Sequence, residues 1–255
     1  MRLTIVGCSG TLPGPRSPSS AYLLETAGFR MLLDCGSGSI GVLQNVADLL
    51  AIDAVVVSHL HADHCLDLVP YSYARRYHPR APLPTLPVYG PRGLSDRLCA
   101  SFEQPPPDGL REVYEFRVLQ EGRRTIGPFE VDLVRMNHPV ETYGVRVMAD
   151  GASIAYSADT GACDALVDLA RNCDLFLCEA SFASGGTHPA DLHLTSREAG
   201  EHARRAGARR LVLTHLLPWN DPERSRSDAA AAYGAPVELA RTGAVYELSV
   251  VSDIP

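Results

Sequence analysis

The amino-acid sequence predicts an α/β fold built as one domain over residues 1–255. This length is enough to bury one large hydrophobic core. Apolar residues make up 45% of the chain and charged residues 21%, which is the usual balance of a globular protein. Strand patterns dominate the first part of the chain, and strands alternating with helices follow. We find no repeat or linker that would divide it.

Strands are predicted where short apolar or alternating runs are bounded by turn residues. They are expected at residues 3–7, 22–25, 29–33, 54–57, 86–89, 113–118, 129–136, 143–147, 153–156, 175–178 and 211–213. A helix is expected at residues 40–50, because Val42, Val46 and Leu49 recur there at helical spacing. Another helix is expected near residues 94–102, where the surrounding prolines exclude a longer one.

The last third of the chain carries clear signals for the starts and ends of helices. Thr195 and Glu198 have the spacing of a capping box, and Gly207 is the expected C-terminal stop of that helix. Asp221 stands before a proline, as an N-cap residue does before the first helical position. A further helix is expected around residues 166–170. These helices alternate with the last predicted strands.

Charge and cysteine content narrow the possible functions. The net charge of −7 gives no global basic field that would attract nucleic acid, and all 23 cationic residues are arginines. The seven cysteines form no CxxC pair, which indicates reduced thiols. We see neither an apolar signal segment nor a run of roughly 20 apolar residues that could span a membrane. We therefore expect a cytoplasmic protein without a membrane partner.

One segment concentrates histidine and aspartate directly after the apolar run at residues 54–57. It contains His59, His61, Asp63 and His64 within six positions. Imidazole and carboxylate together suit zinc, manganese or iron better than calcium. The segment therefore predicts a metal site at the end of a buried strand.

Further candidate ligands follow other predicted strands. His138, Asp159 and His215 each stand a few residues after a strand. Asp34 follows the strand at 29–33. It is expected to orient a metal-bound imidazole, with a role in capping the turn before Gly36 as the alternative. Ligands at strand ends are positioned by a rigid sheet while loops admit substrate.

The ordered set resembles the metallo-β-lactamase superfamily, whose His-x-His-x-Asp-His signature is matched by His59 to His64. The resemblance implies an αββα four-layer sandwich and a hydrolase with two divalent metal ions, zinc first and manganese or iron(II) as alternatives. It assigns His59, His61 and His138 to one ion and Asp63, His64 and His215 to the other, with Asp159 bridging. It also implies a homodimer.

Two segments resemble the ribonuclease Z branch of this superfamily. Residues 191–195, Asp-Leu-His-Leu-Thr, place His193 where that branch has a proton donor for the leaving oxygen. Glu179 matches the carboxylate that steadies this histidine. Asp63 is counted with these two among the catalytic residues. Only 20 residues separate His138 from Asp159, so the long tRNA-binding arm of ribonuclease Z is not expected there.

The pattern looks closer to actinobacterial cyclic-nucleotide phosphodiesterases of the same branch. The resemblance implies hydrolysis of 3′,5′-cyclic nucleotides such as cAMP to 5′-monophosphates. Three alternatives remain, namely a ribonuclease Z-type tRNA 3′-end processing endonuclease, a lactone or thioester hydrolase, and a non-catalytic metal-binding module. The expected partner is a small phosphodiester, and RNA is less expected.

Other polar and aromatic residues near the motif have two interpretations each. The segment 71–77, with Tyr73 and Tyr77, is either a base- and phosphate-binding surface or a partly buried helix with solvated arginines. Trp219 either borders the pocket or packs in the core. His202 is expected to be solvent exposed, because it lies in an arginine-rich helix.

Overall fold

The computed structural model describes residues 1–249, so the last six residues of the predicted domain lie outside the described part. Within that part, two seven-stranded sheets pack face to face and helices cover their outer faces. This arrangement confirms the four-layer αββα sandwich. No helix among residues 1–249 combines the length and the apolar character needed to cross a membrane.

Fourteen strands and seven α-helices form the described part of the chain. The strands are β1 Arg2–Gly7, β2 Ala21–Thr26, β3 Phe29–Leu33, β4 Ala54–Val56, β5 Leu86–Gly90, β6 Tyr114–Val118, β7 Gly122–Ile126, β8 Phe129–Arg135, β9 Tyr143–Ala149, β10 Ala152–Tyr156, β11 Leu175–Glu179, β12 Leu211–Thr214, β13 Val237–Leu239 and β14 Val245–Glu247. The helices are α1 Ser39–Leu43, α2 Ala62–Cys65, α3 Leu68–Arg76, α4 Leu94–Cys99, α5 Asp164–Leu169, α6 Ser196–Ala206 and α7 Pro222–Tyr233.

Both sheets are mixed and follow the same plan. The first has the order β14-β1-β2-β3-β4-β5-β6, and the second has the order β13-β12-β11-β10-β9-β8-β7. Strands β3 to β6 run parallel to one another, as do β10 to β13, while the remaining pairs are antiparallel. Parallel neighbours place their carboxyl ends at the same edge of a sheet. Two such edges meet at the predicted metal site.

Alternating side chains divide the apolar residues among three cores. In β3, Met31 and Leu33 face the second sheet, whereas Leu32 faces the helices outside. In β11, Leu177 faces inward and Phe176 packs under α5 and α6. All five are essentially buried. Each such side chain contributes about 1.5–3 kcal/mol relative to an exposed position, which favours one strand register over a one-residue slip.

The helix signals in the last third of the sequence are confirmed. Thr195 Oγ1 accepts from the Glu198 amide while the Glu198 carboxylate accepts from the Thr195 amide, so the capping box is complete. Gly207 ends α6 at φ +64°, a left-handed conformation that glycine adopts without strain. Asp221 caps α7 by accepting from two backbone amides. Together these caps fix the helices that cover the second sheet.

The helix predicted at residues 40–50 is wrong in length. Helix α1 ends at Leu43, and only a short 3-10 turn at Leu49–Ala51 follows. The buried apolar residues of α1 are Ile40 and Leu43, whereas Val46 is 40% exposed. The valine periodicity therefore did not mark a buried face. The short strands β7, β13 and β14 were not predicted, since they are partly exposed edges without a strong apolar pattern.

Candidate metal centre

The strand ends bring all seven predicted metal ligands together. The first sheet contributes the His59–His64 segment after β4, and Asp34 follows the neighbouring strand β3. The second sheet contributes His138 after β8, Asp159 after β10 and His215 after β12. Their ligand atoms fall into two adjacent groups. The site therefore lies at the seam between the two sheets.

The first group consists of His59, His61, His138 and Asp159, whose ligand atoms all lie within 4.8 Å of one another. His61 Nδ1 is 3.0 Å from His59 Nε2 and 3.3 Å from His138 Nε2. Three imidazole nitrogens thus converge on one point. Such a set matches the nitrogen-rich coordination that zinc accepts.

The second group consists of Asp63, His64 and His215. His215 Nε2 is 3.1 Å from Asp63 Oδ2 and 3.2 Å from His64 Nε2. His64 Nε2 is 3.4 Å from the same carboxylate oxygen. Two nitrogens and one oxygen again surround one point, and this donor set would fit a second cation.

Asp159 reaches both groups with different oxygens. Its Oδ2 is 3.5 Å from His59 Nε2 in the first group, and its Oδ1 is 3.3 Å from His64 Nε2 and 3.5 Å from His215 Nε2 in the second. Oδ1 is buried and has no hydrogen-bond partner. A buried carboxylate oxygen without a partner is costly, and a cation satisfies it. The donor set therefore fits two divalent ions sharing this carboxylate.

The protonation of the donors also suits metal binding. Burial lowers the pKa of the imidazoles of His59, His61 and His138, so these side chains are neutral and can bind metal. Burial alone would raise the pKa of Asp63 and Asp159. The surrounding histidines instead hold both carboxyl pKa values well below their usual range.

The pKa of His64 is shifted in the opposite direction to those of His59, His61 and His138. Burial would lower its pKa, but the carboxylates of Asp159 and Asp34 raise it well above the usual histidine value. A proton and a metal ion therefore compete for the same Nε2. Metal binding to this group should release a proton.

In His138 and His215, the ring nitrogen that faces away from the ligand group is hydrogen-bonded. His138 Nδ1 donates to the Leu192 carbonyl at 2.9 Å. Ser181 Oγ donates to the His215 carbonyl and accepts from His215 Nδ1 at 2.7 Å. These contacts fix the ring tautomers and leave Nε2 free for metal. The sequence marks Ser181 only by its position two residues after Glu179.

Asp34 lies behind His64, as the orienting role requires. Its Oδ2 accepts from His64 Nδ1 at 2.8 Å and from Ser58 Oγ at 2.9 Å. Asp34 adopts φ +58°, a conformation unfavourable for most residues. Next to it, a Cβ on Gly36 would lie 1.9 Å from the Asp63 carbonyl oxygen, so only glycine allows this close approach.

His193 borders both groups and pairs with Glu179. Its Nδ1 is 2.8 Å from Glu179 Oε1 and 4.0 Å from Asp159 Oδ2. Burial alone would lower the pKa of His193, but the Glu179 carboxylate and its hydrogen bond raise it to about 9. Glu179 also accepts from the backbone amides of Thr160 and Ser181. The predicted pair is therefore held in place from several sides.

His193 also forms a cluster with Asp159 and His215 that resembles a third ligand group. Its Nδ1 lies 4.0 Å from the nearest Asp159 oxygen, whereas the nearest nitrogens of His59, His64 and His215 lie 3.3–3.5 Å from that carboxylate, so His193 stands apart from the two groups. Phe182 meets the His193 ring edge-on at 5.3 Å, and His188 stacks on Phe182 at 4.2 Å. A short loop thus forms an aromatic wall beside His193.

Several neighbouring residues lie outside the two ligand groups. The hydroxyls of Ser157 and Thr160 donate to nearby carbonyls and not to Asp159. Trp219 is 69% exposed, which excludes the core interpretation. The prediction for His202 is wrong, because the ring is buried between α6 and the Cys163 amide.

Residues 71–77 were interpreted either as a binding surface or as a partly buried helix, and the structure shows a partly buried helix there. Tyr71 and Arg75 are buried, and Arg75 donates to the Pro84 carbonyl, so this arginine is not solvated. Tyr73 and Tyr77 stack on each other at 6.0 Å on the exposed side. Base binding by this surface stays a prediction.

Comparison with known proteins agrees with this geometry. Residues 30–216 match the beta-lactamase superfamily domain, and the chain belongs to this superfamily. Its relatives include members of the ribonuclease Z-like branch.

The similarity to individual relatives covers nearly the whole chain. The Mycobacterium tuberculosis protein Rv1339 is 41% identical over 253 residues, covering 97% of this chain and 92% of that protein. The crystal structure of the metallo-beta-lactamase fold protein YhfI from Bacillus subtilis superposes with a TM-score of 0.86 at 28% identity, covering 97% and 98% of the two chains. The ribonuclease Z of Chlamydia muridarum is 28% identical over 263 residues, covering 84% of this chain and 86% of that enzyme.

Proposed function

We propose that this protein is a phosphodiesterase that uses two divalent metal ions, preferably zinc, to hydrolyse 3′,5′-cyclic nucleotides to 5′-monophosphates. The observation that carries the proposal is the His193–Glu179 pair beside two complete ligand groups. A metal site alone would serve many hydrolases. A buried imidazole–carboxylate pair next to it adds a proton donor, which an alkoxide leaving group needs.

The ligand assignment follows the two groups. His59, His61 and His138 would hold one ion, Asp63, His64 and His215 the other, and Asp159 would join them. When bound, two such ions activate water and offset the negative charge that develops on the phosphate oxygens. The chain's own contribution is the rigid placement of these donors at strand ends.

His193 supplies the proton for the departing sugar oxygen. Glu179 occupies Nδ1 at 2.8 Å, so Nε2 is the nitrogen available to substrate. The raised pKa keeps the ring protonated near neutral pH. A sugar alkoxide is a poor leaving group, and a positioned acid accelerates its departure by roughly 10²–10⁴-fold. A thioester expels a thiolate, which is a better leaving group than an alkoxide, and would not require this pair.

Two features favour a small substrate over tRNA. The chain between His138 and Asp159 forms the compact hairpin of β9 and β10, which leaves no long arm at this place. The net charge of −7 also gives little general attraction for RNA. Because ribonuclease Z enzymes are among the relatives, tRNA 3′-end processing is the second candidate.

The test is product formation from 3′,5′-cyclic AMP by protein reconstituted separately with Zn²⁺ and Mn²⁺. We expect 5′-AMP, and we expect His193→Ala to lower kcat by about 10²–10⁴-fold with metal content unchanged. His78→Ala is the matched control, since this histidine hydrogen-bonds only within its own turn, to the Arg80 amide, and should retain full activity.

Intact, metal-loaded protein that leaves the cyclic nucleotide untouched would overturn the substrate assignment. Pre-tRNA and then lactones would be the next substrates to test. Tight binding of nucleotide without turnover would instead point to a non-catalytic metal-binding module. An unchanged rate in His193→Ala would remove the proton-donor role.

A further inference from the structure

A buried tyrosine lies directly beneath the candidate metal centre. Tyr156 ends β10 in the second sheet, and its side chain is essentially inaccessible to solvent. Its hydroxyl donates to Asp34 Oδ2 at 2.7 Å, across the interface to the first sheet. Because Asp159 follows Tyr156 by three residues, this bond ties the strand that carries the shared carboxylate to Asp34.

The acceptor of this bond controls two imidazoles. Asp34 Oδ2 also accepts from His64 Nδ1 at 2.8 Å and from Ser58 Oγ at 2.9 Å. Since the Ser58 hydroxyl donates to Asp34, it can only accept from His59 Nδ1, which lies 3.0 Å away. Asp34 therefore fixes His64 directly and His59 through Ser58, in each case with Nε2 left for metal.

These two imidazoles belong to different ligand groups. His59 lies in the group with His61 and His138, and His64 lies in the group with Asp63 and His215. A shift of Asp34 would therefore disturb both groups at once. Ser58 and His64 come from the first sheet, whereas the donor from Tyr156 comes from the second.

We propose that Tyr156 is a positioning residue that, by holding Asp34 across the sheet interface, keeps the ligands from the two sheets aligned for two metal ions. This inference rests on the metal centre of the proposed function. A second tyrosine supports the same interface. Tyr22 packs against Tyr156 at a ring distance of 4.9 Å, and its hydroxyl is 2.7 Å from Thr214 Oγ1, next to His215.

The chain offers a closely matched control. Tyr114 is also fully buried, and its hydroxyl donates to the Leu68 carbonyl at 2.6 Å. It lies in the outer core between the first sheet and its helices. Removing either hydroxyl leaves one buried acceptor with one donor fewer, so both changes should lower thermal stability by similar amounts. Of these two tyrosines, only Tyr156 contacts Asp34.

The experiment compares Tyr156→Phe and Tyr114→Phe with the wild-type protein. Zn²⁺ affinity and stoichiometry are measured by competition with a chromophoric chelator, and Co²⁺ absorption spectra report the ligand geometry. We expect Tyr156→Phe to bind zinc about tenfold more weakly and to show an altered Co²⁺ spectrum. Tyr114→Phe should match the wild type in both. Ser58→Ala, which removes another donor to the same oxygen, should resemble Tyr156→Phe and serves if that variant does not fold.

Zinc affinities of Tyr156→Phe and Ser58→Ala within twofold of the wild type would overturn the inference. So would an equal loss of affinity in Tyr114→Phe, because the effect would then reflect general stability. Wild-type protein that binds metal but hydrolyses no cyclic nucleotide would overturn only the proposed substrate. Wild-type protein that binds no divalent ion would overturn both.

Discussion

Two buried carboxylates, Asp34 and Glu179, hold histidines in the same way but in different surroundings. Each lies at the end of a parallel strand, Asp34 in the first sheet and Glu179 in the second. Each is fully buried and lies 2.8 Å from the Nδ1 of one histidine, His64 or His193. From these contacts alone the two pairs are indistinguishable.

The difference lies in how close each ring is to the ligand groups. Nε2 of His64 is within 3.5 Å of donors from Asp63, Asp159 and His215. The His193 ring lies farther from the ligand groups, with its Nδ1 4.0 Å from the nearest Asp159 oxygen. A carboxylate behind an imidazole therefore does not define the role of that imidazole. We expect that the number of ligand atoms close to the ring separates a metal ligand, as proposed for His64, from a proton donor, as proposed for His193.

The largest effect that would sharpen this comparison is expected from Glu179→Gln. A neutral amide cannot stabilise the protonated ring of His193, so kcat should fall by about 10²-fold while zinc content stays unchanged. A proton donor loses activity as pH rises through its pKa. The wild-type rate should therefore fall at or below pH 9, and the fall should move to lower pH in the variant, which a pH–rate profile measures.

In the wild-type protein, the value of about 9 for the pKa of His193 is an upper bound, because bound cations would repel the protonated ring. Glu198→Gln is the matched control for Glu179→Gln, since that carboxylate only caps helix α6. A variant that loses zinc together with activity would show that Glu179 serves the metal centre, as Asp34 does.

Asp34→Asn should produce the opposite result. Without the carboxylate behind His64, zinc affinity should fall by about 10–100-fold, and excess zinc should restore most of kcat. Chelator competition and rates at increasing zinc concentration measure the two quantities. Asp174→Asn, which changes a carboxylate that binds Ser153 away from the site, is the control. A loss of kcat that saturating zinc cannot repair would contradict this assignment.

The smallest effect is expected from Phe182→Leu. Leucine keeps an apolar contact but loses the edge-on contact with His193, so the ring should be held less firmly and kcat should fall by less than about tenfold. Phe102→Leu is the control, since that ring packs beside Tyr73. Steady-state rates of both variants suffice. A hundredfold loss would mean that Phe182 itself contacts the substrate.

The sequence was most informative where metal-binding residue types stand at a characteristic spacing or directly after a predicted strand. The dense segment from His59 to His64 needed only its own spacing to be recognised. His138, Asp159 and His215 could be added because each follows a strand, and strands of this kind end at a common edge. The prediction of the fold, the family and these ligand positions therefore depended on patterns that each span only a few residues.

The parts that escaped prediction depend on contacts between distant segments. Tyr156 and Asp34 are 122 positions apart, and Ser181 reaches His215 from 34 positions away. Tyrosine and serine are common residues, so neither stands out without its partner. His202 was misjudged for the same reason, because the neighbouring arginines are visible in the sequence and the Cys163 amide that buries it is not.

The division of the candidate ligands between the two sheets has a consequence for how long the folded protein persists in the cell. Metal ions at the proposed centre would need donors from both sheets, so they could bind only after the sheets have docked. They would therefore favour the folded state over the unfolded state. Metal starvation would then shorten the lifetime of the chain as well as its turnover, because proteases act on unfolded molecules. The abundance of this protein would follow the metal status of its host.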